Sequence, residues 1–218
     1  MTSLAGYYAK RAAEYERIYD KPERQADLAL LRSRVAELFS GRQVLDLACG
    51  TGYWTAVIAP HAKHITGLDA AKETLEIARS KIYPSGKVEF VCGDAYALPE
   101  FGRRHDALFA GFWWSHVPLA RLDEFLRNAE RAITPGGLLV FLDNAYVEGS
   151  STPISRRDTE GNTYQMRRLD DGSTHEVLKN FLADDELRGR VALRGHEIAI
   201  ERFEYYWLLR YRTKVEHG

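Results

Sequence analysis

Three acids and a loop of small residues make the most chemically suggestive pattern in this chain. Asp46 interrupts the apolar run Val44-Leu45-Asp46-Leu47, and Ala48-Cys49-Gly50-Thr51-Gly52 follows it. Asp69 closes a second apolar stretch 23 residues further on, and Asp94 follows Phe90-Val91-Cys92-Gly93. If each stretch is a strand of one right-handed parallel sheet, the three carboxylates open onto the same crevice. An acid at the end of the second strand sits where a ribose diol is held, and a carboxylate can accept from both hydroxyls at once. Gly50 and Gly52 let the backbone approach a ligand closely, and Asp94 with the Ala95 amide suits the amino edge of an adenine. A third glycine at G-x-G-x-x-G spacing is missing, because position 55 is Thr55. A nucleoside without phosphates therefore fits better than a dinucleotide. Each feature has a plainer reading: turn glycines, Asp69 as a helix N-cap, Asp94 as a turn acid. The ordered set agrees across levels, and that favours the ligand site.

A second group lies in Gly111-Phe112-Trp113-Trp114-Ser115-His116-Val117-Pro118. Two tryptophans at a strand end form a wall for a flat or cationic molecule. His116 is the candidate general base, because an imidazole titrates near ~6.5. The plainer reading has His116 packing the next helix and one of Trp113 and Trp114 in the core. Asn144 and Tyr146, after the last apolar run of the alternating region, are further candidates for contact with a second substrate.

The elements that must position these groups follow from periodicity. Apolar and aromatic residues at helical spacing predict helices over 4–18 and 23–39. Strands are then expected at Val44–Leu47, His64–Leu68, Lys87–Cys92, Ala107–Phe112 and Leu138–Leu142. Helices at 53–59, 71–81 and 119–133 are expected among them, with a turn at Pro135-Gly136-Gly137 before the last strand. This alternation predicts an α/β fold with a doubly wound, mostly parallel sheet and helices on both faces. Residues 145–162 read as a loop. Tyr164–Leu169 and Thr174–Lys179 read as a hairpin around Asp170-Asp171-Gly172. A short helix over 183–193 and two strands, Glu197–Phe203 and Tyr205–Arg212, complete the chain.

The 218 residues suit one domain, with 1–40 as a helical cap, 41–145 as the ligand-binding core, 146–182 as an inserted lid and 183–218 as a closing helix and strands. Thirty basic and 31 acidic residues leave a net charge of −1, so no global basic field calls for nucleic acid. No apolar run approaches ~18 residues, so no membrane span is expected, and the first residues do not read as a signal peptide. Two cysteines, Cys49 and Cys92, suit a reducing, cytoplasmic setting and lack metal-site spacing.

Over about residues 40–145 the chain resembles the class I S-adenosylmethionine-dependent methyltransferases, through Val44–Gly52, Thr66-Gly67-Leu68-Asp69, Gly93-Asp94-Ala95 and Pro135-Gly136-Gly137. The resemblance implies S-adenosylmethionine as cofactor and a Rossmann-like seven-stranded sheet whose last strand is antiparallel. It implies that Asp46 and the backbone from Ala48 to Gly52 border the methionine portion of the cofactor. Asp69, with Ala70, would hold the ribose, and Asp94-Ala95 the adenine. A leading helix closes over the cofactor in related enzymes, which makes Tyr8 and Arg11 further candidates. Asp143-Asn144 is similar to the strand end of Mg²⁺-dependent O-methyltransferases, but Phe109-Ala110-Gly111-Phe112 lacks their second acid, so no metal is expected. The expected acceptor is a small molecule, bound between Trp113, Trp114, Asn144 and Tyr146, with the protein a monomer or homodimer. A nicotinamide-dependent reductase and a non-catalytic cofactor-binding module are the competing readings. A nucleic-acid methyltransferase would need a basic face that the chain lacks.

Overall fold

The computed structural model describes residues 12–102 and 104–215. Tyr8 and Arg11 lie outside them. Within them the alternating pattern becomes a seven-stranded sheet. Its strands are β1 (Gln43–Leu47), β2 (His64–Asp69), β3 (Val88–Cys92), β4 (His105–Gly111), β5 (Ile133–Asn144), β9 (Gly195–Arg202) and β10 (Tyr206–Thr213), in the order β3-β2-β1-β4-β5-β10-β9. β1 to β5 run parallel, and β10, the last strand of the chain, pairs antiparallel with both β5 and β9.

Side chains divide between the sheet's two faces with period two. On β5, Leu139 and Phe141 join one apolar cluster, while Leu138, Val140 and Leu142 join the other. On β10, Trp207, Leu209 and Tyr211 join the first and Tyr206 and Leu208 the second. The helices cover these faces: α1 (Gln25–Leu38) inserts Leu28, Leu31 and Val35 into the second cluster. α4 (Leu122–Arg131) inserts Phe125, Leu126 and Ala129 into the first, and α5 (Asp184–Val191) adds Leu187 and Val191. Burial on both faces explains why these strands read as near-continuous apolar runs. The shorter helices α2 (Tyr53–Ile58) and α3 (Lys72–Ser80) follow β1 and β2.

Three local expectations change. The segment before residue 20 is a 3-10 helix over Ala12–Tyr19. Pro135-Gly136-Gly137 is not a turn ahead of β5 but an excursion within it: Ile133 pairs with His105 and Leu138 with Ala107, so β5 carries extra residues. The expected loop at 145–162 contains a strand, β6 (Ile154–Arg157), which pairs with β7 (Thr163–Arg168). β7 pairs with β8 (Thr174–Leu178), making a separate three-stranded antiparallel sheet. All four residues of β6 are exposed. It has no buried face, so no alternation marked it as a strand. Among the described residues no helix is long and apolar enough to cross a membrane.

Trp114 belongs to this core. It is fully buried, edge-on to Phe141 at 5.0 Å and to Trp207 at 6.0 Å between ring centroids. Trp114→Ala is therefore expected to cost about 3–5 kcal/mol of stability, read by denaturant unfolding. A loss well below 1 kcal/mol would mean that the indole is not a core side chain.

Candidate functional site

The strands end in a crevice where the sheet order reverses, between β1 and β4, which is where open α/β sheets take ligands. At the end of β1 the backbone turns through Ala48, whose φ is 56°. The Cys49 amide then donates to Leu68 O at 3.0 Å and the Gly50 amide to Asp69 Oδ2 at 2.8 Å. Asp69 Oδ1 accepts from the Ala71 amide at 2.9 Å and from Thr74 Oγ1 at 3.1 Å. This one carboxylate thus ties the glycine loop of β1 to the start of α3. Burial raises its pKa despite these donors. The loop is also fastened from outside, because Thr51 Oγ1 donates to Glu16 Oε1 at 2.6 Å and Lys81 pairs with the same oxygen.

A cleft opens here. Ala48, Gly50, Asp69, Ala70, Asp94 and Ala95 all line it. Phe112, Trp113 and His116 close it beyond β4. Phe112 holds φ at 59°, a costly conformation for a bulky residue. Its amide donates to Leu142 O at 2.6 Å. That turn sends Trp113 toward the cleft and Trp114 into the core. Trp113 was expected against the acceptor, but it lines this first cleft beside Ala95. The described lining includes two carboxylates and neither lysine nor arginine. Such a slot suits an uncharged or cationic nucleoside derivative and repels a pyrophosphate.

Asp46 and Gly52 do not line this cleft. Asp46 is 1% exposed, and its Oδ2 accepts from Thr55 Oγ1 at 2.5 Å. Burial pushes its pKa up to about 7, with the Asp69 charge adding to the rise. Gly52 precedes α2 with φ 75°, and a Cβ there would lie 2.6 Å from Tyr83 Oη and 3.1 Å from Ala78 Cβ. Only glycine meets both demands.

A second cleft adjoins the first, and Phe112 and His116 line both. Its floor includes Asn144 at the end of β5, and its far wall is the three-stranded sheet with Gln165, Arg167, Val177 and Lys179. Lys21 and Arg24 close it from the N-terminal side. His116 Nδ1 lies 2.6 Å from Leu178 O. A carbonyl only accepts, so Nδ1 carries the proton and the neutral ring has its lone pair on Nε2. Burial and then the Lys179 ammonium depress the imidazole pKa to about 3, with Asp143 opposing and Arg167 assisting. Lys179 Nζ pairs with Asp143 Oδ1 at 2.8 Å and donates to Ser115 Oγ at 2.6 Å, all out of water. Burial alone would raise the Asp143 pKa, but Lys179 and His116 reverse the direction and hold it below the usual range.

Tyr146 stays outside the lining. It packs edge-on to Phe181, which does line the second cleft, at 5.2 Å. Lys21, Arg24 and Lys179 were not foreseen. Arg24 carried one signal: it is the residue preceding the first turn of α1, where a cation opposes the helix dipole and needs another reason to be present. Among the described residues no group of three or more His, Cys, Asp or Glu side chains is placed to hold a metal.

The sheet order, its single antiparallel strand and the acid-lined crevice define a Rossmann-like fold built around an adenosyl cofactor. Residues 44–137 match the methyltransferase domain family. The demethylmenaquinone methyltransferase of Thermotoga maritima is 37% identical over 190 residues, 78% of each chain. That of Staphylococcus saprophyticus is 31% identical over 54% of this chain and 50% of its own length, so the chain spans about half of that relative. Solved DhpI superposes at 28% identity as its SAH complex, with TM-score 0.77 over 96% of this chain and 95% of DhpI. A DhpI–SAM–HEP complex gives TM-score 0.75 over 96% and 99%. The chain belongs to the class I S-adenosylmethionine-dependent methyltransferases.

The Asp46 shift has a consequence for stability. A carboxyl whose folded pKa is raised contributes stability fully below its unfolded value near ~4 and loses it as pH rises through the folded value. Asp46→Asn keeps an acceptor for Thr55. It is expected to gain on the unsubstituted chain between pH 4 and pH 8, by on the order of a few kcal/mol, in denaturant titrations without cofactor. Parallel pH profiles for the two chains would refute the shift.

Proposed function

We propose that the chain methylates a small-molecule acceptor held in the second cleft, with S-adenosylmethionine in the first. The observation that carries this reading is the junction: two adjoining clefts meet at Phe112 and His116. The first fits the cofactor because small residues leave its floor open, Trp113 and Phe112 offer flat walls, and the carboxylates face a ligand without phosphates. Asp69 and Ala70 would hold the ribose, Asp94 and Ala95 the adenine, and the backbone at Ala48 and Gly50 the methionine portion. Asp46 and Gly52 support this loop from beneath.

Bound there, S-adenosylmethionine supplies an electrophilic methyl group on a sulfonium leaving group. The remaining work falls to the chain: alignment across the junction, exclusion of water by Phe112 and Trp113, and acceptance of a proton. On methylation the acceptor's heteroatom would lose its proton, and Nε2 of His116 is the base at the junction that would take it, weakened there by burial and by Lys179. Asn144 positions the acceptor from the end of β5.

Calorimetry tests the donor site. S-adenosylmethionine and S-adenosylhomocysteine are expected to bind and NADH not to bind, and Asp69→Ala should weaken both adenosyl ligands by about 1–3 kcal/mol. No adenosyl binding at high micromolar concentration would sink the reading, and NADH binding alone would favour a reductase. For the base, a screen of phenols, amines, thiols and carboxylates, read by S-adenosylhomocysteine release, first identifies an acceptor. His116→Ala should then lower kcat by about 10²–10⁴-fold while leaving cofactor affinity near that of the unsubstituted chain. Unchanged turnover removes His116 from the mechanism.

A further inference from the structure

We propose that the acceptor is a polar hydroxyl compound and that the methyl group goes to its hydroxyl oxygen, not to a nitrogen or a sulfur, beside His116. The inference rests on the methyltransferase reading for the donor. The choice of atom rests on the His116 imidazole, and the polarity on the second cleft.

The last residue of β8 decides which nitrogen of His116 is basic. Leu178 pairs with Tyr164 of β7, so its carbonyl is fixed in the inserted sheet, and it lies 2.6 Å from Nδ1. The proton on Nδ1 is committed to that carbonyl, and the lone pair is on Nε2. The surroundings keep the ring uncharged. Burial and the Lys179 ammonium oppose protonation, Arg167 assists them, and Asp143 and the Leu178 carbonyl only partly offset them, so the imidazole pKa falls to about 3. His116 is therefore a neutral, weak base near pH 7, buried and lining both clefts.

A base of that strength helps one kind of acceptor. An amine attacks with its own lone pair, and the alkylammonium it becomes holds its proton near ~10.4, as lysine does, so nothing would pass to His116. A thiol reacts as its thiolate, of which roughly a few per cent is present at pH 7 without a base. A carboxylate has already lost its proton, with an ordinary pKa near ~4. A hydroxyl keeps its proton until it attacks. Its oxygen lone pair then forms the O–C bond as the C–S bond breaks toward the sulfonium sulfur. The oxygen takes up positive charge, and its proton becomes more acidic than even this imidazolium. That proton goes to Nε2, and an ether, a neutral thioether and an imidazolium remain.

The second cleft sets the rest of the molecule. Asn144, Ser150, Ser151, Thr152 and Gln165 line it and carry neutral hydrogen-bonding groups. The Asn144 amide is held in one orientation, with Oδ1 accepting from Arg24 at 3.3 Å and Nδ2 donating to Asp143 at 3.2 Å. Polar groups desolvated against hydrocarbon are costly, so an acceptor with hydrogen-bonding groups along its length fits better than an apolar one.

Two measurements test this. In the ¹⁵N-labelled chain without cofactor, the ring nitrogens of His116, assigned with His116→Gln, should show a neutral Nδ1–H imidazole from pH 5 to pH 8. An Nε2–H tautomer, or a charged ring at pH 7, overturns the proposal. Turnover with ¹³C-methyl S-adenosylmethionine then uses acceptors that offer a hydroxyl beside a competing group: ethanolamine, mercaptoethanol, glycerate and aminophenol, with octanol as the apolar control. An O-methyl ether of at least one is expected in the product NMR spectrum, with none from octanol. Methyl groups mainly on nitrogen, sulfur, carbon or carboxylate, no methylated hydroxyl in the set, or octanol as the best acceptor overturns the proposal. S-adenosylhomocysteine binding by calorimetry separates the two failures. With that binding intact, only the oxygen assignment fails and the methyltransferase reading stands. Without it, that reading fails and takes the proposal with it.

Discussion

A lysine and an aspartate, both removed from water, hold the second cleft in register with the first. Lys179 comes from the end of β8 and Asp143 from the end of β5, and their side chains are 5% and 0% exposed. Asp143 also accepts from the amides of Ser115 and Asn144, and Ser115 O accepts from the Asn180 amide. Desolvating two charges consumes most of what their attraction returns, whereas removing one partner typically costs about 3–5 kcal/mol. The pair's contribution is therefore chiefly positional. It docks the inserted three-stranded sheet against the sheet end and fixes the segment that carries His116. The imidazole is then held from the other side by Leu178 O.

On this frame the two adjoining clefts carry opposite signs. Acids and small residues from the alternating core line the first. The second is lined by Lys21, Arg24, Arg167 and Lys179 from outside that core, among neutral polar and apolar side chains, and Asp143 neutralises Lys179. Opposed fields sort ligands before contact: a phosphate-bearing dinucleotide is disfavoured on the acid side, and cations are disfavoured on the basic side. His116 stands at the boundary, so its basicity depends on which charges occupy its neighbours.

Much of the core was legible in the sequence, because strands buried on both faces appear as apolar runs between helical periods. That continuity also hid information. With Val44, Leu45 and Leu47 all apolar, nothing told which face Asp46 joins, and it turns to Thr55 rather than to the cleft. Trp113 and Trp114 are equivalent in sequence. The left-handed turn at Phe112 separates them, and phenylalanine gives no hint of that conformation. β6 has no buried face to create a pattern. Lys21 and Arg24 were the hardest to foresee, because they reach the cleft of Arg167 only when distant segments pack. Asp69 and Asp94 could be placed because Asp69 ends an apolar run and Asp94 follows one within two residues.

The fastening between Glu16 and Thr51 acts like a tie between two rooms. One end of a short run of chain grips the glycine loop beside the first cleft, and a few residues later Lys21 and Arg24 reach into the second. Strain entering at either end has little slack in which to dissipate. Filling one chamber should therefore be felt in the other.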